Sequence, residues 1–241
     1  MSSISAPVTA IVPAAGSGNR FGIKKNKPFY ILMGKPLLIW SLEVFQGIDE
    51  INEIMPVVKQ EDIGITNELI EQYKITKVRN IVPGGAERQD SVYNALNALD
   101  PETRIVLIHD GARPLLESGL VKKMIYGFMC FEAGVDGIVA GVPVKDTVKE
   151  IEKEYPVDNI ENIFVKKTLS RETLWAIQTP QIFFFDKIKA AHEISRLDGL
   201  KATDDAAMVE KCGGRIKVIM GSYRNIKITT PEDVKIAEAM F

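Results

Sequence analysis

The sequence predicts an α/β fold built on a parallel sheet covered on both sides, and three observations carry that reading. Short apolar runs alternate with amphipathic stretches through the first half of the chain. Several of those runs are apolar at successive positions, as strands buried on both faces must be. Glycine-rich or acidic loops follow the runs directly, at the edge where such sheets bind ligands. At roughly 150 residues per domain, 241 residues allow one large domain or two small ones. No repeat or low-complexity tract divides the chain, so residues 1–241 read as one domain with an inserted arm.

Residues 8–13 (VTAIVP) form a β-rich run that ends at a glycine loop. Residues 35–45 (KPLLIWSLEVF) read as a helix, with Pro36 acceptable in its first turn. A strand over 51–58, a helix over 63–73 and a strand over 78–82 follow. Residues 90–99 place Val92, Ala95, Leu96 and Leu99 at helical spacing. Residues 104–108 (RIVLI) are a near-continuous apolar strand ending at His109-Asp110-Gly111. A helix over 120–131 and a strand over 137–144 come next.

Residues from about 148 to 172 break this rhythm. They are charged, with a turn-suited Tyr-Pro-Val-Asp-Asn centre flanked by Ile151, Ile160, Phe164 and Val165. That pattern suits a protruding β-hairpin, which either pairs with another subunit or is a solvated loop. Beyond it, a strand over 174–179, helices over 186–194 and 204–211, and strands over 216–220 and 226–229 are expected. Thr230 is a candidate N-cap for a final helix, with Pro231 in its first turn.

Composition narrows the function. Lys and Arg number 30 and Asp and Glu 32, so the net charge of -2 argues against a surface built for nucleic acid. A local basic cluster around a phosphorylated small molecule stays open. No apolar run approaches the roughly 18 residues that cross a bilayer. The N-terminus, MSSISAPVTAIVPAAGSG, lacks the basic start and long apolar stretch of a signal peptide. Cys130 and Cys212 have no metal-like spacing, which suggests a reducing, cytoplasmic setting and two small core residues. With His109 and His192 the only histidines, serine-hydrolase and zinc-enzyme readings are disfavoured.

Four motifs could carry chemistry. Pro13-Ala14-Ala15-Gly16-Ser17-Gly18-Asn19-Arg20 follows the first strand. Its small residues let backbone N–H groups approach an anion, though a tight turn alone would also explain them. A dinucleotide fingerprint fails, because Phe21 stands where its third glycine belongs and no ribose-binding acid follows in a clear strand. No Gly-Lys-Ser/Thr follows either, which excludes a Walker loop. Lys24, Lys25 and Lys27 lie close behind, positioned to meet a polyphosphate or to be a solvated surface run. Gly84-Gly85-Ala86-Glu87-Arg88-Gln89-Asp90-Ser91 is a loop entering a helix. Gly84-Gly85 allows close approach to a flat ring and Ser91 can donate and accept, while a plain turn is an equal reading. His109-Asp110-Gly111-Ala112-Arg113-Pro114 follows the strongest strand. Asp110 is placed for a sugar hydroxyl or for a magnesium ion with its waters. Arg113 is read first as its ion-pair partner, and His109 as a satisfied turn residue. Thr147, Arg171, Thr179 and Thr203 sit in weaker motifs, and Thr203-Asp204 could be only a helix cap. Lys227, in an apolar stretch, requires an anionic partner, either a carboxylate or a ligand phosphate.

Taken together, the strings PAAGSGNR, GGAERQDSV, HDGARP, PVKDT, LWAIQTPQ, TDDA and NIKITTPED resemble, in order and spacing, the 2-C-methyl-D-erythritol 4-phosphate cytidylyltransferase family of the non-mevalonate isoprenoid pathway. The resemblance spans Ile11 to Met240. It implies a Rossmann-like nucleotidyltransferase with a mostly parallel mixed sheet, and a homodimer interlocked through the β-arm. It implies CTP and methylerythritol phosphate as substrates and Mg²⁺ held mainly through the CTP phosphates, with no protein metal site. Arg20 and Lys27 match the pair that stabilises the α-phosphate transition state. Arg171 and Lys227 match the pair that positions the attacking phosphate, Arg171 reaching the partner's site from the arm. Pro13, Ala14, Ala15, Gly16, Gly18, Gly84, Gly85, Ser91 and Gly111 match the nucleotide side. Asp110, Arg113, Thr147, Thr179 and Thr203 match the sugar-phosphate side. Two departures stand out: Asn26-Lys27-Pro28 replaces the common Pro-Lys-Gln, leaving Lys24 or Lys25 as substitutes, and Ala86 replaces a common acid.

Such a reaction needs no general base, because a phosphomonoester with a second pKa near 6 is already largely dianionic at pH 7. That fits a chain poor in histidine. A ribitol 5-phosphate cytidylyltransferase is the nearest rival, but HDGARP and PVKDT favour methylerythritol phosphate. A non-catalytic CTP-binding regulator would bind CTP without releasing pyrophosphate.

Overall fold

The computed structural model describes residues 7–16, 27–130, 134–153 and 163–241. The central strand is β1 (Val8–Pro13), buried at every position. It lies parallel to β4 (Ile51–Val58) on one side and β6 (Ile105–Ile108) on the other. The two-residue strands β2 (Ile31–Leu32) and β3 (Lys35–Pro36) form a separate small ladder before the first helix. β5 (Val82–Pro83) extends the main sheet parallel to β4. On the far side, β10 (Trp175–Phe184) runs antiparallel between β6 and β7 (Gly137–Pro143), and β11 (Ile216–Met220) lies parallel to β7. The order is β11-β7-β10-β6-β1-β4-β5, a mostly parallel mixed sheet with an α/β, Rossmann-like arrangement.

Strand periodicity explains the two cores. Ala10, Val12 and Leu107 turn to one face, where α1 (Leu37–Gln46) and α4 (Ser118–Met129) bring Leu38, Leu42, Met124 and Phe128. Ile11, Val106 and Ile108 turn to the other, where α3 (Arg88–Ala98), α5 (Phe185–Leu197) and α6 (Asp205–Lys211) bring Val92, Leu96, Ile188 and Val209. With both faces covered, these strands carry apolar residues at every position. α2 (Ile63–Gln72) and α7 (Pro231–Met240) complete the helices. Thr230 caps α7 in a reciprocal box with Asp233, with Pro231 in the first turn, as expected.

The arm is a two-stranded antiparallel ladder of β8 (Lys149–Lys153) and β9 (Ile163–Thr168), separate from the main sheet. All of β9 is exposed, Phe164 and Val165 included. The expected turn around 155–159 lies outside the described residues.

Several expectations need correction. Residues 226–229 form no strand: the Ile228 N–H donates to the Ala112 carbonyl and that of Thr229 to the Asp233 carboxylate, so no ladder uses them. The strand expected over 78–82 shrinks to an isolated Ile54–Val78 bridge plus β5. Pro36 stands before α1 as its N-cap instead of inside its first turn. Cys130 and Cys212 are exposed free thiols and not core residues. Each sits at a helix C-cap, where an apolar helical face has run out.

Candidate active site

The carboxyl ends of β1, β4, β5 and β6 meet at one edge of the sheet. There the loops continue the strand ladder: Ala14 N–H donates to the Val57 carbonyl, Gly84 N–H to Val58, and Gly111 N–H to Pro13. Between them opens a cleft of about 540 Å³. Its two walls differ in kind.

One wall is small residues and backbone. Ala14, Ala15 and Gly16 from the first loop face Gly84 and Gly85 from the third. A Cβ on Gly84 would stand 2.2 Å from the Ala15 Cβ, and one on Gly85 would stand 2.3 Å from the Asp90 Cβ. Gly111 is less crowded, with a Cβ meeting Ala14, Val12 and Leu38 at 3.3 Å. Ser91 lines the cleft but is spent on the turn: its hydroxyl accepts from Gly85 N–H and donates to the Glu87 carbonyl, each at 3.1 Å.

The other wall is charge. Asp110 Oδ1 accepts from Arg88 Nε at 2.8 Å, and Asp110 Oδ2 pairs with Lys227 Nζ at 2.7 Å. Arg113 Nε stands 4.0 Å from Oδ2. Burial alone would raise the Asp110 carboxyl; the charges of Arg88 and then Lys227 override it and hold the group well below the usual carboxylate range. Arg88 reaches back through Nη1 to Asp205 Oδ2 at 2.7 Å. Burial works against its charge too, but Asp205 and Asp110 push its pKa above the ordinary guanidinium value.

Neighbouring residues hold this wall in place. The Asp110 N–H donates to Thr179 Oγ1 at 3.0 Å. The Thr179 hydroxyl lies 3.1 Å from His109 Nδ1, and His109 Nε2 lies 3.2 Å from the Arg113 carbonyl. A carbonyl only accepts, so Nε2 carries the proton and Nδ1 accepts from Thr179. Burial pushes His109 down to about 4, so the ring is neutral and structural. Arg113 Nη1 donates to the Asn225 carbonyl at 2.6 Å, and Asn225 Nδ2 donates to the Thr179 carbonyl at 2.8 Å. These bonds fasten residues 225–228 beside the Asp110 loop and present Lys227 to the cleft.

Of the residues singled out in the sequence, Pro13, Ala14, Ala15, Gly16, Lys27 and Lys227 line the cleft, as do Gly84, Gly85, Ser91, Asp110 and Gly111. Gly18 and Arg20 lie outside the described residues. Arg113 and Thr179 stand behind Asp110 as its supports. Thr147 and Thr203 are exposed, at the foot of the arm and just before the α6 cap. Arg171 is exposed, with Nη1 donating to the Lys145 carbonyl at 2.8 Å. The sequence reading missed Arg88 and the Lys59-Gln60-Glu61 turn, all of which line the cleft. A signal for Arg88 was present: the paired acids Asp204-Asp205 at a helix start require a cation or a cap each, and only Asp204 serves as the cap.

A mostly parallel sheet whose carboxyl edge holds a backbone-walled cleft beside fixed cations suits an enzyme of the nucleotidyltransferase class, the class to which the chain's relatives belong. The family model described as 2-C-methyl-D-erythritol 4-phosphate cytidylyltransferase matches residues 8–241, and the chain belongs to that family, whose enzymes serve isoprenoid synthesis. It is 43% identical over 235 residues to the cytidylyltransferase of that name from Geotalea uraniireducens, covering 96% of this chain and 95% of the relative. Identity to the one from Pelotomaculum thermopropionicum is 44% over 234 residues, covering 97% and 93%. Among solved structures, 4-diphosphocytidyl-2C-methyl-D-erythritol synthase from Anaerococcus prevotii superposes with a TM-score of 0.83 at 33% identity, covering 98% of this chain and 96% of that one.

Proposed function

We propose that the cleft takes CTP and joins its cytidylyl group to 2-C-methyl-D-erythritol 4-phosphate. A phosphate oxygen of the methylerythritol phosphate bonds to the α-phosphorus of CTP. The bond from that phosphorus to the bridging oxygen breaks, and pyrophosphate leaves with the electron pair. No proton has to be removed from the attacking oxygen, since the phosphate is already largely dianionic at pH 7. The observation that carries this reading is the pairing of the two walls. Small residues admit a base and ribose closely, and Lys27 and Lys227 face the same space with the charge that two polyanions need. By their match to the family, Arg20 and Lys27 stabilise the α-phosphate, and Lys227 and Arg171 position the nucleophile.

Among the described residues no group of three or more His, Cys, Asp or Glu side chains gathers to hold a metal. Asp110 is the carboxylate on the charged wall, and its oxygens are engaged by Arg88 and Lys227. Such a site fits an ion that takes most of its ligands from phosphate oxygens and water. Mg²⁺ arriving with CTP would supply charge neutralisation across the phosphates, with Asp110 as the nearby protein carboxylate.

We read the chain as one nucleotidyltransferase domain and the arm as its contact with a second copy. The exposed Phe164 and Val165 support that dimer, and from the arm's foot Arg171 would enter the partner's cleft. Two free thiols fit a reducing, cytoplasmic setting. No helix among the described residues is long and apolar enough to cross a membrane.

The deciding experiment is pyrophosphate release from CTP and Mg²⁺, with methylerythritol phosphate and ribitol 5-phosphate supplied in parallel. Release with the first alone is the expected result. Release with ribitol 5-phosphate alone would overturn the substrate, and CTP binding with no release from either would leave a regulator.

A further inference from the structure

The charged wall does not end at the cleft. Asp205 is fully buried in the first turn of α6, and it holds the end of Arg88 that Asp110 does not. Its other oxygen, Oδ1, accepts from His192 Nε2 at 3.2 Å, on α5. Tyr93 of α3 stacks against the His192 ring at a centroid distance of 6.5 Å. A continuous chain of alternating partners thus runs from His192 through Asp205, Arg88 and Asp110 to Lys227. Several bonds fix the parts that carry it. Gln181 of β10 donates to Asp204 Oδ2 at 2.8 Å and accepts from Ala206 N–H at 3.1 Å, pinning the start of α6 to the sheet. Lys201 pairs with Glu87 at 2.7 Å, tying the loop before α6 to the residue before Arg88.

We infer that Asp205, held by His192, is a positioning residue for the reaction: it aims the Arg88 guanidinium, which in turn sets Asp110 and the Lys227 ammonium that Asp110 shares. Neither Asp205 nor His192 lines the cleft. The guanidinium fork explains the choice of arginine. Its Nε and Nη1 meet two carboxylates at once, a geometry that a lysine point charge cannot reproduce. Arg88 is thereby divided between two anions. It restrains Asp110 without contributing a free positive charge, and Asp110 is left to orient Lys227 toward the ligand.

This inference rests on the proposed cytidylyl transfer, and steady-state kinetics separates the two. Turnover by the unaltered enzyme with methylerythritol phosphate tests the reaction; the ratio of each variant to it tests the positioning chain. The variants are Asp205→Asn, Arg88→Lys and the double substitution, each checked for folding by its thermal transition. In either single variant kcat is expected to fall about 10-fold to 100-fold, as for other supporting-shell losses, while KM for CTP shifts less than about threefold. Because both act through one guanidinium, the double variant is expected to be no worse than the poorer single one. Folded Asp205→Asn or Arg88→Lys enzyme with kcat within about twofold of the unaltered enzyme would overturn the inference, as would losses that multiply in the double variant. Should Asp205→Asn not fold, Arg88→Lys decides alone, since a simple charge role would leave it active and a bridging role would not.

Discussion

The two walls of the cleft solve opposite problems. The wall of Ala14–Gly16 and Gly84–Gly85 works by absence: it leaves the cleft open because side chains are missing, and its polar groups are backbone. The wall of Arg88, Asp110 and Lys227 works by presence: each side chain is ionised, and each is fixed by another. The first is damaged by adding atoms, the second by removing a charge or the geometry that shares it. The fold follows the same division. The backbone wall continues the strand ladder, whereas the charged wall is assembled from β6, α3, α6 and the loop before α7.

The largest effect should come from removing the hub. Asp110→Asn leaves Arg88, Lys227 and Arg113 clustered around a neutral amide. Breaking a buried pair by deleting one partner costs about 3–5 kcal/mol, which is a large share of a domain's stability. Urea unfolding of the purified variant measures that loss, and turnover should fall with it. A variant as stable as the parent would show that the wall is less tightly coupled than its distances imply. Lys27→Ala and Lys227→Ala come next. Each removes a cleft cation, and Lys227 is 39% exposed, so the fold should survive. Turnover should drop about 10²- to 10³-fold, the cost seen for single preorganised donors. Near-normal turnover in either would remove that lysine from the reaction.

How legible these walls were differs for the same reason. Gly84-Gly85 and the PAAG string announce themselves, because their neighbours in sequence are their neighbours in space. The exception is that Gly18 and Arg20 remain matched to the family only. Asp110 was legible from its place after an apolar strand. Arg88 was not legible from its own neighbours, because its partners lie on β6's loop and on α6; the one hint was the acid pair Asp204-Asp205, of which only Asp204 caps the helix. Lys227 was rightly expected to need an anion, yet its segment resembled a strand, since Ile226 and Ile228 alternate with polar residues. Its donors are in fact taken by a loop carbonyl and a helix-capping carboxylate. The exposed cysteines show the remaining limit: apolar spacing locates a helix face but not where the face ends.

Acid sharpens the contrast between a charged group and the neutral one that supports it. The folded protein holds His109 at about 4 against an ordinary 6.5, so the unfolded chain binds the proton first. Between those values the unfolded state carries more protons, and stability falls as pH falls through the window. The total is roughly 3 kcal/mol at 1.36 kcal/mol per pH unit. Asp110 has the same sign in a lower window: its folded carboxyl is held below the ordinary carboxylate value, so its contribution is complete above about 4 and is lost only below that, and it adds little slope here. Urea midpoints between pH 7.5 and 4.5 should therefore decline, and a His109→Gln variant should decline less. An equal decline would place the acid sensitivity elsewhere.

The smallest effects test the backbone wall, and a pair of glycines divides what the fold needs from what the ligand needs. At Gly84 an added Cβ collides with Ala15 at 2.2 Å and presses Ser91 Oγ at 3.0 Å. Gly84→Ala should therefore cost about 1–3 kcal/mol of stability, the range for overpacking, and weaken CTP binding as the wall shifts. At Gly16 nothing among the described residues lies within 4 Å of an added Cβ, and the residue lines the cleft. Gly16→Ala should change stability by less than about 0.5 kcal/mol, as surface changes do. Any rise in KM for CTP in that variant would then report ligand approach, because the described residues leave room for the methyl group. Calorimetric titration with CTP reads both variants directly. Unaltered affinity in Gly16→Ala would mean that the ligand keeps its distance from this loop, and close approach would then belong to Gly84-Gly85 alone.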